Sequence, residues 1–125
     1  MTAWDTDRAP RRLRGGWYEA RSDAGYVLAR HWPPRLDIVA TGEFPPVRRG
    51  RLARQIRQDL WRALRGLRGF SPVVVVDAAE CGLTVRAGGR LAAPAPAGVE
   101  GRIKDLLDSP GHRARWLTWA GEGVR

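Results

Sequence analysis

Apolar and polar positions alternate in the first third of the chain, which is the period of a β-strand. "GWYEARS" at 16–22 and "YVLARHW" at 26–32 are two such runs, and "DAG" at 23–25 is a turn signal between them. In the second run Tyr26, Leu28, Arg30 and Trp32 share one face, while Val27, Ala29 and His31 share the other. Aromatic and β-branched residues around a short Asp/Gly turn predict a hairpin. Trp17 and Trp32 are expected to pair across it as core. Pro33-Pro34 ends the strand, because proline donates no ladder hydrogen bond and restricts the residue before it. "RLDIVATG" at 35–42 reads as a third strand and 43–50 as a linker.

The period then changes. From 51 to 68 the apolar residues Leu52, Ala53, Ile56, Leu60, Ala63, Leu64 and Leu67 fall within roughly 120° of a helical wheel, the stripe of a core-facing helix. Gly66 and Gly69 weaken its last turn. "SPVVVVDA" starts a second hairpin that returns through "LTVRA". "GG" at 88–89 signals a turn into a short third strand, "RLAA", and 93–98 is a small linker. Helical spacing reappears at 99–108, and Ser109-Pro110 has the form of an N-cap followed by proline at the first helical position. A last helix, carrying Trp116 and Trp119 as docking residues, stops at Gly121. The sum is an α+β fold: an antiparallel sheet of two hairpin units, one long amphipathic Arg-rich helix and one or two C-terminal helices. A flexible basic arm at 1–15 precedes a single domain at 16–125.

Charge sharpens this picture. The 125 residues carry a net charge of +9, and Lys104 is the only lysine among 22 basic residues. Abundant Arg, Ala, Gly and Pro fit a GC-rich, bacterial genome, which accounts for arginine over lysine but not for the positive excess. That excess is local: residues 48–69 hold eight arginines against Asp59 alone, a net of +7. A basic surface of this density is drawn to nucleic acid, to anionic membrane or to an acidic protein. Cys81 is the only cysteine, so no internal disulfide forms and a reducing compartment is expected. No apolar leader and no membrane-length run is found, so the chain is read as cytoplasmic.

On the wheel, the face opposite the apolar stripe holds Arg51, Arg54, Arg57, Trp61, Arg62, Arg65 and Arg68, with Trp61 inside the arginine field. An 18-residue helix is about 27 Å long, enough to follow several phosphates. Like charges at i, i+3 and i+4 repel by a few tenths of a kcal/mol each, and a bound polyanion removes that repulsion. The expected function is nucleic-acid binding, DNA ahead of RNA, by a non-enzymatic accessory or regulatory protein. In it the arginines hold phosphates and Trp61 stacks on a base; the arm arginines Arg8, Arg11, Arg12 and Arg14 are candidates for further contacts. The alternative is a protein-interaction module in which the same helix docks an acidic partner or a second copy in a homodimer. No catalytic, metal or cofactor site is expected. His31 and His112 lie far apart, Asp105 and Asp108 read as a solvated pair, and no nucleophile or phosphate-loop motif occurs.

Overall fold

A computed structural model describes residues 10–121; residues 1–9 of the expected arm lie outside this range. The elements, in chain order, are β1 (Arg11–Arg12), β2 (Tyr18–Arg21), β3 (Gly25–Ala29), β4 (Ile38–Phe44), α1 (Arg49–Leu64), β5 (Ser71–Ala79), β6 (Gly82–Arg90), α2 (Val99–Asp108) and α3 (Pro110–Ala120). All six strands join one antiparallel sheet in the order β1-β2-β3-β5-β6-β4. The α+β class and both hairpins are as the sequence predicts. Residues 11–12, inside the expected arm, pair with Tyr18 and Glu19 as an edge strand.

Two parts of the sheet differ from a simple chain-order reading. The third strand, whose partner the sequence leaves open, does not extend the first hairpin. β3 is already paired on both sides, by β2 and β5, so the segment after Pro33-Pro34 crosses the sheet and β4 pairs with β6 at the far edge. Trp32 and Leu36, on either side of Pro33-Pro34, pack on Val27, Ala29, Val73 and Val75, which form a small cluster on that face. The second difference is Gly88-Gly89, which lies inside β6 rather than in a turn, and "RLAA" adds no strand. A Cβ on Gly88 would stand 1.8 Å from the Ile38 carbonyl oxygen, and one on Gly89 2.2 Å from that of Ser71. Glycine serves here for the close approach of two flanking backbones.

All three helices contribute to the main core, on the opposite sheet face. Leu52, Ala53, Ile56, Leu60 and Leu64 of α1 are buried with Leu28, Val74, Val76, Val85 and Ala87 of the sheet. This is the predicted apolar stripe; fully burying each leucine or isoleucine stabilises the fold by about 1.5–3 kcal/mol. Val99, Ile103 and Leu107 of α2 and Trp116 and Ala120 of α3 complete the cluster. Ser109 caps α3 as predicted, its side chain accepting from the His112 amide, with proline in the first turn. Trp17 and Trp32 do not pair. Trp17 packs against the helix-side core and Trp32 against the cluster on the other face, where Tyr18 is its ring neighbour at 6.3 Å. Trp119 does not dock either: it is 64% exposed, whereas Trp116 is fully buried.

Candidate nucleic-acid interface

α1 starts two residues earlier than the sequence predicts and ends four residues sooner, at Leu64. After it the chain turns: the Leu67 amide donates to Leu64 O, Phe70 to Leu67 O, and Gly69 adopts φ +69°. The seven predicted residues are therefore split between two elements. Arg51, Arg54, Trp61 and Arg62 are exposed on α1, and Arg57 is half-buried there. Arg65 and Arg68 are exposed on the following turn, not on the helix face. The turn also carries Phe70 back under Trp61. The two rings stack with centroids 6.2 Å apart and planes 11° from parallel. Phe70 supports one side of an indole that remains 44% exposed.

Beside this pair runs a groove of about 730 Å³ between α1 and the ends of β2, β3 and β5. Trp61, Phe70 and Arg62 line one part of it, and Trp17, Arg30 and Arg57 another. The Arg57 guanidinium lies 4.5 Å from the Trp17 ring centroid, and Arg30 lies 5.5 Å from the same ring. Burial holds the Arg57 pKa below the ordinary arginine value, and the nearby positive charges of Arg54 and Arg30 push the same way. Its Nε is buried without a hydrogen-bond partner among the described residues. His31 Nδ1 and Ser71 Oγ, 2.7 Å apart, close the end of the groove.

The carboxylates near this face point inward. Asp59, the one acid of α1, is 7% exposed. It accepts from Trp116 Nε1 at 2.7 Å, from Arg62 at 3.4 Å and from Arg115. Glu19, 2% exposed, lies beneath the other half of the helix. It accepts from the Tyr26 hydroxyl at 2.5 Å and sits 3.7 Å from Arg11, 3.7 Å from Arg21 and 4.0 Å from Arg54. Two acids thus sit under the arginine face and hold it to the body of the protein. Arg51, Arg65 and Arg68 take part in none of these ion pairs.

The sequence pointed to the helix and its indole but not to Trp17, Arg30, His31 or Phe70. The first three flank strands β2 and β3, and only the packing of α1 across β3 and β5 brings them to the groove. Phe70 follows two glycines, and its stacking depends on a turn that the wheel treated as helix. Among the described residues no group of three or more His, Cys, Asp or Glu side chains is placed to hold a metal, and no helix is long and apolar enough to cross a membrane. Compared with protein families, curated proteins and solved structures, the chain matches none.

Proposed function

We propose that this chain binds nucleic acid through the arginine face of α1 and the groove beside Trp61, as a cytoplasmic, non-enzymatic accessory protein. The observation that carries the reading is the half-exposed indole of Trp61, backed by Phe70 and flanked in the groove by Arg57 and Arg62. Arg51, Arg54, Arg62, Arg65 and Arg68 hold phosphates, and the indole stacks on a base. Unpaired strands suit such a groove better than a duplex, because an aromatic platform needs the open face of a base. Exposed Trp119 favours a second reading, an interface with another protein, since tryptophan and arginine are both enriched at such interfaces.

The test is fluorescence anisotropy with a labelled single-stranded oligonucleotide. Stacking on an aromatic side chain contributes about 1–3 kcal/mol per base, so Trp61→Ala is expected to weaken binding by about 5- to 150-fold. Wild-type affinity in Trp61→Ala would overturn the groove as the binding site. Weakened self-association in Trp119→Ala, with no binding of oligonucleotide by the wild type, would decide for the second reading.

A further inference from the structure

At the other end of α1 lies a second concavity, of about 430 Å³. Five arginines line it: Arg21 from β2, and Arg48, Arg49, Arg51 and Arg54 from the head of the helix. The Tyr26 ring is also part of its wall, and no carboxylate is. Arg21 lies over that ring, 4.7 Å from its centroid. The Arg49 guanidinium donates to the carbonyl oxygens of Ser22 and Asp23, at 3.4 and 3.3 Å, which ties the helix head to the β2–β3 turn. Behind it Glu19 is buried and holds the Tyr26 hydroxyl. It also lies within ion-pair distance of Arg21 and Arg54.

Guanidinium groups crowded into one hollow repel each other, and the same hollow is a ready fit for a compact anion. Arginine presents forked donors that match phosphoryl oxygens two at a time. The local field adds to this. The first turn of α1 contains no acid and no side-chain cap, so cations stand where a helix favours negative charge. Gly50 keeps the hollow close-fitting: a Cβ there would stand 3.0 Å from Arg21 Nη2 and 3.4 Å from the Tyr26 ring.

We infer that this arginine-lined pocket is a binding site for a phosphoryl group of high charge density, a pyrophosphate or a phosphomonoester. Such a group carries more charge than an internal phosphodiester and suits a hollow lined by arginines and by no carboxylate better. The site lies apart from the Trp61 groove, though it shares Arg51 and Arg54 with the arginine face proposed above, and Arg21, Arg48 and Arg49 belong to it alone. Its occupant comes either from the phosphorylated end of a strand or from a free phosphorylated molecule.

The experiment titrates the full chain with inorganic pyrophosphate, following backbone amides by NMR and heat by calorimetry, with sulfate as the control anion. Saturable one-to-one binding is expected, with the largest shifts at Arg49, Gly50 and Arg51. Arg21→Gln with Arg48→Gln is expected to weaken it about tenfold or more, and Trp61→Ala to leave it unchanged. A 5′-phosphorylated oligonucleotide that displaces pyrophosphate better than its 5′-hydroxyl twin makes a strand end the occupant; equal displacement assigns the site to a free phosphoryl ligand. Shifts spread evenly over all surface arginines, binding no tighter than that of sulfate, or full affinity in the double variant of a folded protein would overturn the inference. Loss of oligonucleotide binding in Trp61→Ala leaves it standing.

Discussion

Replacing Asp59 with alanine removes the acceptor that ties α3 to α1. The Trp116 indole N–H, donating to Asp59 Oδ2 at 2.7 Å, is then buried without a partner, at a cost of about 1–3 kcal/mol. Arg62 and Arg115 lose the same carboxylate, but their side chains are 68% and 46% exposed and can turn to water. Each of those lost pairs therefore adds only about 0–1 kcal/mol. The total is about 1–5 kcal/mol. At roughly 4 °C per kcal/mol for a domain of this size, Tm falls by about 4–20 °C. Asp59→Asn keeps an acceptor oxygen for the indole and loses the charge, so its loss is expected to be less than half as large. Thermal melts followed by far-ultraviolet circular dichroism measure both variants without relying on the fluorescence of six tryptophans. A fall of under about 2 °C in Asp59→Ala would refute the argument that this carboxylate anchors the last helix, and equal losses in the two variants would refute the split between hydrogen bond and charge.

Tyr26 gives a pH test. Burial, reinforced by its hydrogen bond to Glu19 and that residue's charge, raises its pKa above the ordinary value. The folded protein then keeps the phenolic proton while the unfolded chain releases it near pH 10. Stability is full below that pH and declines above it, as seen by urea denaturation, and Tyr26→Phe should remove this contribution to the alkaline decline. Two glycines give a contrast in packing. Gly88→Ala forces a methyl group against the Ile38 carbonyl and separates β4 from β6, with an expected loss of about 3 kcal/mol. Gly66→Ala meets nothing within 4 Å and is expected to be neutral or to stabilise by up to about 1 kcal/mol. Chemical denaturation of the two variants checks both, and similar outcomes would contradict the close approach of β4 and β6.

Much of the fold follows from local pattern. The α1 stripe, both hairpins and the Ser109-Pro110 helix start are set by residues next to each other in sequence, where spacing and capping act directly. What sequence alone did not reveal is non-local. Nothing in "RLDIVATG" says that its partner is β6 rather than β3; that follows from β5 taking the place beside β3. Gly88-Gly89 carries a turn signal, yet the approach of Ile38 and Ser71 makes it a strand. At the candidate site, the wheel placed Trp61 among arginines correctly because that relation lies within one helix. It carried Arg65 and Arg68 along the same axis only because helix was extended through Gly66. The groove partners Trp17, Arg30 and Phe70 come from three segments whose meeting is a product of tertiary packing.

The arginine face is tested most directly by the salt dependence of oligonucleotide binding. For single strands, log K falls against log salt with a slope of about −0.7 per phosphate contact, so contacts from Arg51, Arg54, Arg62, Arg65 and Arg68 give about −3.5 between roughly 50 and 200 mM salt. Arg51→Glu with Arg65→Glu removes two of them and brings the slope to about −2. A slope near zero in the wild type, or one left unchanged by the double variant, would contradict the assignment of this face to nucleic acid.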